Sequence, residues 1–240
     1  MNKDHLVEII QKYHLGGLTE KAKWIIKDNK VTINFATELK DCIGTLTSGF
    51  EMEDTDLGIF NTTQFLKLVN IINDPFKIDL ITSNRIAMSL GISDSNFDLS
   101  YHLADLGLIT EGKLSNTLPD PVIELSLDDE FISKFIKAHN ALEKVEMFSI
   151  KPRIDTQKIE TIQFTIGLND HYSNKIVFDQ PTKKYAKLNK FNYRVNNFRE
   201  ILSTNKDNKI DMAVYEMGII KLTSISENVS IDYYLVSQNK

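Results

Sequence analysis

Any catalytic or metal chemistry in this chain would have to draw on five histidines, one cysteine and scattered carboxylates. His5, His14, His102, His139 and His171 show no H-x-H or H-E-x-x-H spacing that would bring two imidazoles to one metal ion. His102 sits next to Tyr101 in an alternating stretch and is expected to face solvent. Cys42 has no histidine close in sequence to activate it, so it reads as a small core residue rather than a nucleophile. The run Glu51-Met52-Glu53-Asp54-Thr55-Asp56 lacks the D-x-D-x-D-G register of a calcium loop and reads as a solvated strand edge. No G-x-S-x-G, G-x-x-x-x-G-K-[ST] or G-x-G-x-x-G motif is present. The one enzymatic alternative is a dispersed acidic site built from Asp79, Asp98 and Asp211, each of which also fits naturally on a strand exterior. The expectation is therefore a binding or architectural protein with no catalytic residue, cofactor or metal.

Size and composition agree with a folded, non-secreted chain. The 240 residues suit one large domain or two of about half that length. Hydrophobic residues make up 42% and charged residues 25%, enough for a real core. A single cysteine excludes an intrachain disulfide and suits a reducing compartment. The N-terminal apolar stretch is too short for a signal peptide, and no run is long enough to span a membrane, so the expected location is cytoplasmic, or host cytoplasm for a viral protein. A net charge of −5 weighs against nonspecific coating of nucleic acid.

The elements needed to position any site repeat. Period-2 alternation marks half-buried antiparallel strands at 30–37 (Val31, Ile33, Phe35), 96–103 (Phe97, Leu99, Tyr101, Leu103), 159–167 (Ile162, Phe164, Ile166) and 229–236 (Val229, Ile231, Tyr233, Leu235). Helical periodicity appears at 4–15, stopped by Gly16-Gly17, at 61–74, capped by Asn61 and closed by Asn73, at 127–143, with Asp128, Asp129 and Glu130 in its first turn, and at about 195–204. The aperiodic stretch 105–121 reads as a connector. It separates a domain at 1–104 from one at 122–240. Each half reads as a helix, four strands, a helix and three strands, and the second adds a short strand at "VIELS". The segments "FLKLVNIINDPFKIDLI" and "FREILSTNKDNKIDMAV" match at Phe65/Phe198, Leu68/Ile201, Val69/Leu202 and Asn73/Asn205, and then at Ile78-Asp79/Ile210-Asp211. The fold class is thus α+β, with two topologically similar domains of two helices each, packed on antiparallel sheets.

In "DLGIFNTTQFLKLVNIINDPFKIDLI", "YHLAD…LPDPVIELSLDDEFISKF" and "FNYRVNNFREILSTNKDNKIDMAVYEMGIIKL", the chain resembles the DNA sliding clamps, in particular the DNA polymerase processivity factors of T4-like bacteriophages. The likeness runs over nearly the whole chain. It departs at its start, where the first strand of the fold, expected before the first helix, would be squeezed into residues 1–4. The resemblance implies a closed homotrimeric ring of six domains whose helices line a hole for duplex DNA, held without regard to sequence. It further implies tethering of a DNA polymerase and service by a clamp loader, without catalysis. The helical windows 3–15, 61–74, 126–144 and 194–206 carry net charges of 0, 0, −1 and +2, which leaves −6 for the rest. Pore-lining residues are then expected at Lys12, Lys67, Lys134, Lys137 and Arg199. Ring closure would pair 96–103 with 174–180 of a neighbour, through Phe97, Leu99, Tyr101, Ile176 and Phe178. A cleft for partner peptides would be formed by Leu118, Val122, Tyr234 and Val236. The competing non-enzymatic reading is a β-rich virion structural subunit from a phage tail or baseplate.

Overall fold

The computed structural model describes residues 2–83, 86–109, 112, 114, 117–142, 144–167 and 174–238. The chain divides into two compact units: Met1–Lys113 with Ser226–Ile231, and Leu114–Ile225 with Asp232–Lys240.

The first unit opens with α1 (Lys3–His14), capped by the Asn2 side chain, which accepts a bond from the His5 amide at 2.9 Å. Leu15 ends it in the left-handed region at φ 50°, followed by Gly17 at φ 101°, a conformation that favours glycine. Four strands follow: β1 (Ala22–Lys27), β2 (Lys30–Ala36), β3 (Cys42–Gly49) and β4 (Thr55–Ile59). Then come α2 (Thr62–Ile71) and the strands β5 (Lys77–Ser83), β6 (Ile86–Ser93) and β7 (Asp98–His102). The alternation expected of β2 holds, with Val31, Ile33 and Phe35 all buried. Asn61 caps α2 as expected, accepting from the Gln64 amide at 2.9 Å. The helix stops at Ile71 rather than Asn73, because Ile72 turns extended and Pro75 disfavours helical backbone at Asp74. Strand order is β4-β1-β2-β3 in one sheet, with the start of β15 (Val229–Val236) beyond β3, and β5-β6-β7 in the other. Trp24 centres the core, edge-on to Tyr13 at 6.1 Å, Phe50 at 5.6 Å and Phe65 at 5.9 Å.

The second unit repeats this order after a leading strand, β8 (Ile123–Leu127). It continues with α3 (Asp129–Asn140), β9 (Met147–Ile154), β10 (Glu160–Ile166), β11 (Ile176–Pro181), β12 (Phe191–Arg194), α4 (Val195–Thr204), β13 (Ile210–Val214) and β14 (Ile219–Ile225). It closes with the remainder of β15. Asp128 caps α3, accepting from the Phe131 amide at 2.8 Å. One sheet runs β11-β10-β9-β12, the counterpart strand for strand of β3-β2-β1-β4; the other runs β15-β14-β13-β8. The core here is a phenylalanine cluster in which Phe135 meets Phe198 at 4.8 Å and Phe148 at 5.4 Å. In β15, Val229, Ile231, Tyr233 and Leu235 are all buried, the alternation read from sequence. The fold is therefore α+β with a duplicated helix–strand order. Among the described residues no strand precedes α1, the departure noted above.

Candidate nucleic-acid interface

Contacts between distant residues fasten both ends of the α1–α2 pair in the first unit. In the first unit, Lys3 Nζ donates to the carbonyls of Asn70 at 2.7 Å and Ile72 at 2.8 Å, so the start of α1 caps the end of α2. At the other end of the pair, the Thr63 amide donates to Glu20 at 2.9 Å and His14 Nε2 lies 3.0 Å from the Thr63 hydroxyl. Partial burial pushes the Glu20 carboxyl upward. The bonds from Thr63 and His14 outweigh it and hold the group below its ordinary value. Nothing in the spacing of Lys3, Glu20 and Thr63 signals this clamp, since its partners lie more than forty residues apart in the chain.

Of the five expected pore-lining residues, Lys67 and Lys137 are exposed and carry no ion pair or side-chain hydrogen bond among the described residues. Lys134 is exposed but sits 3.4 Å from Glu130 and 5.9 Å from the Phe178 ring centroid. Arg199 is half-buried and paired with Glu200 beside it. Lys12 is corrected outright. It is 2% exposed, with Nζ 3.6 Å from Glu8, so its charge is directed into the unit and is not presented to a ligand. Lys12 borders the apolar face of α1, and the segment at Ser226, which bonds Glu8 at 2.7 Å, closes over that border. Lys206, exposed just past α4, is a further basic group that helical periodicity did not select because it lies outside the helix.

The two strands expected to join neighbouring subunits are both edges. β7 has only β6 beside it and β11 only β10 among the described residues. Phe97 is 43% exposed, and Leu99 and Ile176 are half-buried. Tyr101 is corrected as an interface side chain: it is 3% exposed, and its hydroxyl accepts from the Asn61 amide at 3.1 Å, packed under the start of α2. Phe178 is half-buried, stacked on Phe164 at 5.6 Å and edge-on to Phe131 at 5.7 Å.

The cleft residues Leu118, Val122, Tyr234 and Val236 are each half-buried. Val122, whose amide donates to Val214 at 2.9 Å, leads into β8, and Tyr234 lies on β15 three strand spacings away, about 14 Å. Between them the sheet face carries Lys221, 2.9 Å from Asp232 and 5.8 Å from the Tyr234 ring. A cavity of about 380 Å³ on that face is lined by Glu124, Lys183, Asp211, Tyr215, Lys221 and neighbouring residues, and by none of the four.

Among the described residues no group of three or more His, Cys, Asp or Glu side chains could hold an ion, and Asp79 and Asp98 belong to one unit while Asp211 belongs to the other. Cys42 is buried, as expected of a core residue, and burial raises its thiol above the ordinary value. His171 lies outside the described residues. No described helix is long and apolar enough to cross a membrane.

No protein-family model matches the chain, and no curated protein matches it. Solved structures do. The Proliferating Cellular Nuclear Antigen from Entamoeba histolytica aligns with a TM-score of 0.73 at 11% identity, covering 100% of this chain and 97% of that one. The PCNA of A. fulgidus, solved with the C-terminal region of FEN-1 bound, aligns with a TM-score of 0.74 at 11% identity and the same coverage. The PCNA2-PCNA3 complex from Sulfolobus tokodaii aligns with a TM-score of 0.69 at 9% identity, covering 99% and 97%. At these identities the likeness establishes the fold. The chain has the sliding-clamp fold over its full length.

Proposed function

We propose that this protein is a sliding clamp: copies close into a ring around duplex DNA and tether the replicative polymerase, without catalysis. The observation that carries the reading is a pair of unmatched edges. In the first unit β3 is covered on its far side by the start of β15. The counterpart of β3 in the second half is β11, and the counterpart of β15 in the first half is β7. Among the described residues both stand at the edge of a sheet, each paired on one side only. Joining β11 of one copy to β7 of the next would repeat between chains the pairing that the chain already makes once, and it would remove both hazardous edges. Six such domains, three chains, is the arithmetic that the resemblance implies.

A ring holds DNA by enclosure, so it needs only weak, sequence-blind attraction to phosphates. Exposed Lys67 and Lys137, with Lys134 and Arg199 loosely committed to neighbouring carboxylates, suit that role. An overall acidic chain is compatible with it, since the acidic excess lies outside the helices. The neighbour with a FEN-1 segment bound and the PCNA2-PCNA3 complex support peptide tethering and assembly of this fold. The polymerase and the clamp loader as partners, the homotrimer and the T4-like phage type rest on the sequence resemblance. The virion-subunit reading has no support among these neighbours.

The test combines light scattering with DNA retention. A trimer of the 27.5 kDa chain that stays on nicked circular DNA and runs off linear DNA is the expected result. Lys67→Glu with Lys137→Glu and Arg199→Glu should then abolish retention while leaving the trimer intact. A monomer, or equal retention on both DNA forms, overturns the reading.

A further inference from the structure

The second half of the chain displays what one edge of the first half lacks. In the second unit, β13 is covered by β8 through the antiparallel pairs Ile210↔Leu127, Met212↔Leu125 and Val214↔Ile123. Its inward residues Ile210, Met212 and Val214 are buried as a result. Among the described residues the equivalent strand β5 pairs with β6 alone. The equivalence is visible in the residues themselves, Lys77-Ile78-Asp79 against Lys209-Ile210-Asp211. Yet Ile78 and Leu80 are only half-buried, and Ile81 is 48% exposed. The carboxylates differ in the same way. Asp211 accepts from the Ser126 hydroxyl of β8 and has Lys183 and Lys209 each at 3.4 Å. Asp79 has no hydrogen bond or ion pair among the described residues.

We propose that the open edge of β5 is a docking site that takes an extended segment of a partner protein as an added antiparallel strand. The chemistry of the occupant follows from β8: apolar residues at alternate positions, to finish burying Ile78 and Leu80, and Ser, Thr or Lys opposite Asp79, where Ser126 stands opposite Asp211. Main-chain bonds to the unpaired edge supply affinity, and the alternating side chains supply register and selectivity. The site lies on the opposite edge of its sheet from β7, and it stands whether or not the protein encircles DNA.

The test uses the full chain with a synthetic peptide of residues 121–128, Pro-Val-Ile-Glu-Leu-Ser-Leu-Asp, as a surrogate strand. Hydrogen exchange should slow at the amides of residues 77–83 in a saturable way, and a scrambled peptide should have no effect. Asp79→Lys should weaken binding of the peptide carrying Ser126→Lys by about two- to fivefold, and should favour the Ser126→Asp peptide by a similar factor, as expected for facing charges across strands. No protection at 77–83 with about millimolar peptide overturns the proposal. So does protection confined to 210–214, which would mean exchange with the resident strand. Slowing that follows protein concentration without peptide would identify a second copy as the occupant, and an Asp79→Lys protein indifferent to the charge of the peptide would refute the register.

Discussion

Asn73 and Asn205 follow equivalent helices in the two halves and meet opposite fates. Asn205 is fully buried, its amide donating to the Ile201 carbonyl at 2.8 Å and the Tyr233 hydroxyl at 2.9 Å. Asn73 is exposed and reaches only Asp94, at 3.1 Å. The tyrosines behave in parallel. Tyr101 and Tyr233 are each buried in the last strand of their half and bonded to its second helix, Tyr101 at the start of α2 through Asn61 and Tyr233 just past the end of α4 through Asn205. The same residues therefore fasten helix to sheet from opposite ends. In the first half the other end of α2 is held by the Lys3 ammonium instead. A duplicated fold fixes where its layers meet, but it leaves each half to find its own polar fastening, and the first half does so with α1.

Substitutions paired across the halves put this contrast to the test. The largest difference is expected between the first helices. Lys12→Glu sets a second carboxylate beside Glu8 in a buried place and should cost about 3–5 kcal/mol, whereas Lys137→Glu on exposed α3 should stay within about 0.5 kcal/mol, both read by urea denaturation. Similar values for the two would break the assignment of Lys12 to the interior. Next come the two asparagines. Asn205→Ala removes the side-chain bonds to the Ile201 carbonyl and the Tyr233 hydroxyl and should cost about 1–3 kcal/mol, while Asn73→Ala should cost about 0.5 kcal/mol or less. The smallest effect concerns pH. Because the folded Glu20 carboxyl lies below its ordinary 4.5, its contribution is complete above that pH and fades as pH falls through the folded value. Glu20→Gln should therefore flatten the loss of first-unit stability below about pH 4.5, measured by hydrogen exchange in α1 and α2 across that range. A loss that is unchanged would place the acid sensitivity elsewhere.

Much of the fold was legible because it is written in periods. The burial of Val31, Ile33 and Phe35 in β2 and of Val229 to Leu235 in β15 follows from alternation alone, and Asn61 and Asp128 cap their helices as their residue types predict. The candidate site was legible only in part. Lys67 and Lys137 lie on polar faces and came out exposed, but Lys12 stands at the margin of an apolar face, where periodicity does not decide burial. Tyr101 and Phe178 were read as edge side chains because their strands are edges. Strand position sets the backbone's exposure, while the pleat sends alternate side chains to the core.

By itself the amino-acid sequence determined the element order, the duplication and the inward residues of each strand, since each depends on neighbours a few residues apart. Tertiary structure alone decided that Lys12 is hidden, that Val122 and Tyr234 stand strands apart, and that β5, β7 and β11 lie at sheet edges among the described residues. Those outcomes depend on which distant segment lies alongside, and no local pattern carries that information.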